Sequence, residues 1–280
     1  MNNKKTFWRT ILVVSLIGCI CCLGFVIWYL YQDAQSQKQY EELQETVVEE
    51  VTPEPTEAEN LEQTYENGDA EGTEAALPED IFLDMQNPID FEKLQEINTD
   101  IYAWIRISDT PIDYPIAQRE GDDNYYLHHD MYGESRFAGC IYTEDCNSKD
   151  FTDPNTVIYG HNMKNGSMFK GLHKFADSTF FEEHPYIYIY TPDHVLAYKV
   201  FAAYTYDDRH IINSFDFTDK EVFAEYLDDI FHVRAMDANI REDVSVTADD
   251  RIITLETCVG GDSDARYLVQ AVLIKDGKNE

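Results

Sequence analysis

Positive charge is what this chain has least of. Its 280 residues hold 21 Lys and Arg against 54 Asp and Glu, a formal net charge of −33. So acidic a surface repels a polyanion, which excludes nucleic acid as a partner. The deficit is uneven. Thr10 to Gln32 (TILVVSLIGCICCLGFVIWYLYQ) has no charged residue of either sign, and it is long enough to cross a bilayer as a helix. Lys4, Lys5 and Arg9 precede it, and Trp8 at one edge and Trp28, Tyr29 and Tyr31 at the other suit the two membrane interfaces. The basic side is expected to stay in the cytoplasm and the remainder of the chain to lie outside. No A-x-A site follows the run, and the run exceeds an ordinary signal-peptide core, so 10–32 is expected to be an uncleaved signal anchor behind a cytoplasmic stretch, 1–9. From 33 to 80 the shortage is of both cations and large apolar residues, with Lys38 the only Lys or Arg. Such a segment cannot bury enough surface to offset its chain entropy and is expected to be an acidic, extended tether. Its first part, to Val48, carries Tyr40, Leu43 and Val47 and can prolong the preceding helix.

Metal-site spacings are missing too. There is no EF-hand loop, and His173, His184, His194, His210 and His232 stand at no ligand-like intervals. His128, His129 and Asp130 are consecutive, and neighbours on an extended chain point to opposite faces. Cysteine is sparse: three of the six lie in the apolar run, Cys140 and Cys146 read as two free structural thiols or, if the chain doubles back, a disulfide, and Cys258 stands alone.

What is present over 81–280 is a folded domain. Asp90 to Asn98 reads as a short helix capped by Asp90, with Phe91, Leu94 and Ile97 on one face. Strands are expected at 101–107, 112–117, 137–143, 156–160, 186–190, 195–205, 251–257 and 266–274. They are separated by turns such as Asp153-Pro154-Asn155 and Thr191-Pro192-Asp193. Closely spaced strands with few helices point to a barrel or a sandwich. One long helix interrupts them. Thr218-Asp219-Lys220-Glu221 has the T-x-x-E form of a capping box, and Val222, Phe223, Tyr226, Leu227, Ile230 and Phe231 follow as a helical stripe.

The chemistry gathers at strand ends. Arg251 to Thr257 and Arg266 to Ile274 are expected strands, joined by the glycine-rich loop Val259 to Asp264. If they pair antiparallel, Cys258 and Arg266 face one small space. Thr156 to Tyr159 is a third strand, ending in Gly160-His161-Asn162. A thiolate can attack an acyl carbon, an imidazole can protonate the leaving group, and a cation can steady the oxyanion. Spacing alone fits equally a buried small hydrophobe and a surface charge. Asp262 and Asp264 either orient His161 or Arg266 or simply solvate their loop.

The motifs Thr254-Leu255-Glu256-Thr257-Cys258 with Arg266 downstream, and VIYGHNM followed by GSMF, resemble the sortases, specifically class B. Further matches are Tyr102-Ala103-Trp104-Ile105-Arg106-Ile107, Asp113-Tyr114-Pro115-Ile116 and Asn124-Tyr125-Tyr126-Leu127. The resemblance covers about Asp80 to Lys275. It implies a mostly β protein: an eight-stranded barrel with an N-terminal helix and a helix before the seventh strand. It also implies that His161, Cys258 and Arg266 are the catalytic triad of a cysteine transpeptidase. That enzyme would cut the C-terminal sorting motif of a secreted protein after its Thr and hold the product as a thioester. It would then pass the protein to an amine of a peptidoglycan precursor, on the outer side of a Gram-positive-type membrane, with no cofactor. The alternatives are a pilin polymerase using a lysine amine and a hydrolytic cysteine peptidase. Glu256 departs from the resemblance, since a small polar residue is common there.

Overall fold

The computed structural model describes residues 2–48, 87–262 and 264–278. The chain divides into two compact units, Met1–Leu43 and Gln44–Glu280. The first is the bulk of α1, a single helix running Asn2–Val47. It takes in the uncharged run and the residues to 47 that were expected to prolong it. It is long and apolar enough to cross a membrane by length and composition. The rest of the expected tether, 49–80, lies outside the described residues.

The second unit begins with the last turn of α1. Val47 is fully buried, its carbonyl accepts the Asp90 amide at 2.8 Å, and the Gln44 amide donates to the Asp113 carbonyl. The compact barrel unit therefore starts near 44 rather than 81. A short helix, α2 (Phe91–Ile97), follows. The Asp90 side chain accepts from the Lys93 amide, while Phe91 and Leu94 are buried; Ile97, expected on the same face, is 36% exposed.

The remaining elements, in order, are β1 (Ile101–Arg106), β2 (Asp113–Ala117), α3 (Tyr125–His128), β3 (Ile141–Thr143) and β4 (Asn155–Tyr159). A 3₁₀ helix (Phe169–Ala176) and α4 (Ser178–Glu183) come next, then β5 (Tyr186–Tyr190), β6 (His194–Asp207), α5 (Ile211–Ser214) and α6 (Lys220–Phe231). The chain finishes with β7 (Asn239–Ile240), β8 (Ile252–Cys258) and β9 (Ala265–Lys278). Strand order is β5-β1-β2-β3-β4-β8-β9-β6, and β5 pairs with β6. Eight strands thus close into a barrel, which leaves none of them an open edge along its full length. The two-residue β7 pairs with β6 at Ala202 and Ala203. α6 precedes β8, the seventh strand of the closed ring.

The long strands are apolar on both faces because both are covered. On β8, Ile253, Leu255 and Thr257 alternate with Ile252, Thr254, Glu256 and Cys258. The second set shares its face with Leu268, Gln270 and Val272 of β9. Helix α6 covers that face: Phe223, Tyr226, Leu227 and Ile230, at helical intervals, join Phe201, Tyr204, Ile252, Leu268 and Val272 in one buried cluster. Burying such side chains contributes roughly 1.5–3 kcal/mol each.

Two expectations are corrected. The N-cap of α6 is Asp219, whose carboxylate accepts from the Glu221 and Val222 amides. Thr218 instead turns back, its amide and hydroxyl both donating to Asp216. A carboxylate is the better acceptor for two amides at a helix N-terminus. The strand expected at 137–143 keeps only 141–143. Phe137 to Cys140 form a turn, closed by Gly139 (φ +59°) and tied back by the Cys140 amide on the Tyr126 carbonyl. Cys140 is buried, Cys146 is exposed, and both are free thiols.

Candidate active site

Cys258 ends β8 and Arg266 is the second residue of β9, and the two are direct cross-strand partners. The loop between them is tight. Val259 N–H donates to the Ala265 carbonyl at 3.3 Å, and Gly261 holds φ +88°, a conformation that favours glycine. Asp262 and Asp264 are exposed, and the Asp262 carboxylate accepts the Asp264 amide, a bond internal to the loop.

His161 arrives from the other side of β8. β4 and β8 are parallel and in register to Tyr159↔Glu256, and bonding continues past the strand end. The Gly160 amide donates to the Glu256 carbonyl at 3.1 Å, the Thr257 hydroxyl to the Gly160 carbonyl at 2.7 Å, and the Asn162 amide to the Cys258 carbonyl at 2.7 Å. His161 lies between these anchors, beside the end of a strand ~4.8 Å away. The three expected residues therefore occupy one end of the adjacent strands β4, β8 and β9. Gly160 is required for this approach: a Cβ there would stand 2.6 Å from Ile141 Cδ1 and 2.7 Å from the Phe169 ring.

The orientation of His161 is also set. Its Nε2 is 2.8 Å from the Leu127 carbonyl. A carbonyl only accepts, so Nε2 carries a proton and Nδ1 is the ring atom that can exchange one. The Phe137 ring stacks on the imidazole at 5.5 Å. Burial holds the His161 pKa below its ordinary value, against the opposing pull of the Leu127 carbonyl. At neutral pH the ring is mostly the neutral base.

Sequence reasoning missed several supports. Asn162 Nδ2 also lies 3.0 Å from His173 Nε2, and His173 packs on the Tyr267 ring at 4.8 Å. Burial lowers the His173 pKa, against the opposing pull of the Cys258 carbonyl, which lies 3.2 Å from Nε2. Asn162 and Leu127 were within recognised motifs, though nothing there marked the Leu127 carbonyl, whereas His173 and Phe137 carry no local signal: only the fold brings them near. Met168, with φ +55°, is a strained turn residue. Its amide meets the Tyr114 hydroxyl at 3.2 Å, so the loop after His161 is pinned at both ends.

Glu256 faces the same side as Cys258 and Arg266. Its carboxylate lies 3.5 Å from Arg266 Nε, and its side chain is only 11% exposed. Burial pushes its pKa up to about 7, against the attraction of Arg266 and then of His210. The Arg266 Nη1 donates to the Ala265 carbonyl at 3.1 Å.

A thiol, an oriented imidazole and a guanidinium at one rim are the parts of an acyl-transfer site, and comparison with known proteins agrees. The model of the Sortase domain matches residues 105–274, more than half of the chain, and the chain belongs to the sortase family. Within it, the relatives are of class B. The chain is 30% identical to Sortase B of Staphylococcus aureus over 281 residues, 98% of this chain and 99% of that protein. It is 40% identical to Sortase B of Listeria monocytogenes over 166 residues, 59% of this chain and 65% of that protein, so that match spans a little under two thirds of the Listeria protein. Among solved structures, a Staphylococcus aureus sortase B–substrate complex has a TM-score of 0.65 at 27% identity, covering 88% of this chain and 99% of that one. Sortase B of Clostridium perfringens has a TM-score of 0.60 at 30% identity, covering 66% of this chain and 100% of that one. This chain is a class B sortase with the eight-stranded barrel expected of one.

Proposed function

We propose that this protein is a cysteine transpeptidase that joins secreted proteins to an amine of a peptidoglycan precursor. The observation that carries the reading is the meeting of Cys258 and Arg266 as cross-strand partners, with His161 fixed beside them. The Cys258 thiolate attacks the carbonyl carbon after the Thr of a sorting motif. Arg266 stabilises the oxyanion as it forms. The C–N bond breaks, the imidazolium of His161 gives its Nδ1 proton to the departing amine, and a thioester remains on Cys258. An incoming amine then attacks the thioester, its proton passes to His161, and the thiolate leaves. Every group needed is supplied by the chain.

The uncharged span of α1 serves in this reading as a retained anchor, with Lys4, Lys5 and Arg9 on the cytoplasmic side. Residues 33–43 lie between that span and Gln44, where the barrel unit begins. Mass spectrometry of products from a Thr-containing sorting-peptide library, with candidate amines present and absent, tests the chemistry. Amine-dependent adducts support it. Free acid alone, whatever amine is supplied, would make the protein a hydrolytic peptidase.

A further inference from the structure

Beneath the Cys258–Arg266 pair lies a charged group that the acyl-transfer scheme leaves unused. Glu256 shares the face of β8 with Cys258, two residues on. Around it stand Arg266 from β9, Tyr142 and Glu144 from β3 and its continuation, and Tyr159 from β4. Tyr206 from β6, His210 ahead of α5 and Tyr226 from α6 complete the surround. His210 is engaged by Glu144 at 2.7 Å, which leaves Arg266 as the cation nearest to the carboxylate at 3.5 Å. Oε2 of Glu256 is buried with no hydrogen-bond partner, as are the hydroxyls of Tyr159 and Tyr206. Buried polar groups are nearly always satisfied, so an under-satisfied carboxylate against one guanidinium calls for a reason.

We infer that Glu256 is a positioning residue for Arg266, its carboxylate fixing the plane of the guanidinium at the rim through Nε while the Ala265 carbonyl holds Nη1. This rests on the transpeptidase reading above and adds a residue to it. Two contacts at different nitrogens of a planar fork define its orientation, as a single contact does not. A guanidinium fixed before the reaction needs no reorganisation when the oxyanion forms. The hold depends on the charge of the carboxylate. Its pKa is raised to about 7 by burial, so the hold weakens as the carboxyl takes up a proton below neutral pH.

The test is made on the full chain in detergent micelles. Nitrogen-15 spectra follow the Arg266 Nε–H resonance from pH 5 to 9 in the wild type and in Glu256→Gln. The expected result is a titration with a midpoint near neutrality that is absent from the Gln variant. Single-turnover acylation is then measured at pH 8, with the peptide that the wild type uses best. Glu256→Gln should lower the maximal acylation rate about 10-fold, or about 1.4 kcal/mol, with half-saturation within about twofold. An Arg266 resonance insensitive to Glu256, or a Gln variant with wild-type maximal rate, overturns the inference. If the wild type acylates no peptide, the transpeptidase reading fails instead, and the Arg266 titration still decides whether the carboxylate holds the guanidinium.

Discussion

Two polar clusters lie on the same face of β8 and β9, two residues apart, and they are built differently. At mid-strand, Gln270 donates to the Thr254 hydroxyl at 3.1 Å and to the Tyr226 hydroxyl at 2.7 Å, and accepts from the Tyr204 hydroxyl at 3.1 Å. Thr254 in turn donates to Asn155 at 2.9 Å. The groups are neutral and, the Asn155 amide nitrogen apart, partnered. At the strand end, Glu256 and Arg266 are charged, and Glu256 and the nearby Tyr159 and Tyr206 each leave a buried oxygen without a partner. A saturated neutral network fixes one packing of α6 on the barrel. An unsaturated charged one is costly in stability, and such cost is characteristic of sites that act on a ligand.

That contrast can be broken by substitution. Cys258→Ala should abolish acyl-enzyme formation while the melting temperature stays near that of the wild type, since Cys258 is exposed at a strand end. Intact-mass detection of the thioester reads this directly, and an acylated Ala variant would remove the nucleophile from the scheme. Arg266→Lys should lower the acylation rate by ~10²–10³, the usual cost of one oxyanion donor, because lysine keeps the charge and loses the planar fork. In the neutral cluster the expected effect is on folding. Gln270→Ala leaves three buried hydroxyls short of a partner and should cost about 2–4 kcal/mol in urea unfolding, with the acylation rate of the folded fraction little changed.

The charged cluster has a pH signature with a definite sign. A carboxyl whose folded pKa is raised from 4.5 to about 7 binds more protons when folded than when unfolded. Its favourable contribution is therefore complete below pH 4.5 and lost as pH rises through 7. The loss is roughly 3 kcal/mol at pH 8. His161 and His173 have the opposite sign: their lowered pKa values contribute stability above the ordinary histidine range that is lost as pH falls. Both remain in Glu256→Gln, so the difference between wild type and variant isolates the carboxylate. The Gln variant should gain stability relative to wild type between pH 5 and 8, measured by urea unfolding; a flat difference would show that Glu256 is better solvated than its burial indicates. The smallest expected effect lies outside both clusters. Val47→Ala, at the buried last turn of α1, should cost about 1–2 kcal/mol and leave acylation unchanged.

The barrel was legible because its strands alternate or run apolar between strong turn signals, and β5, β6, β8 and β9 all fall within a few residues of expectation. Where the reading failed, tertiary contacts outweighed local pattern. Residues 137–140 have strand-like apolar content, yet Gly139 and the bond to Tyr126 turn them aside. Thr218 satisfies the capping-box pattern, yet Asp219, one residue on, is the stronger acceptor. The 3₁₀ helix and α4 were invisible because 169–183 mixes aromatic and charged residues without a sustained period. The pairing of Cys258 with Arg266 followed from a short loop between two strands. The anchoring of His161 did not, because it depends on a parallel pairing between strands almost a hundred residues apart. Phe137 and His173 had no sequence signature, and the motif that holds Leu127 did not mark its carbonyl, since a backbone acceptor, a ring face or a ring nitrogen is something many residues could offer.

The position of β9 has a consequence for the order of synthesis. It is the last barrel strand in chain order, yet it lies between β6 and β8 and pairs with both. A growing chain that has produced everything up to Cys258 has that thiol but two unfilled strand edges and no Arg266. Closure of the barrel and completion of the rim are then one event, and it waits for β9. Ribosome-bound or truncated chains ending before Ala265 should accordingly be protease-sensitive and form no acyl-enzyme, so that reactivity is acquired only once β9 is in place.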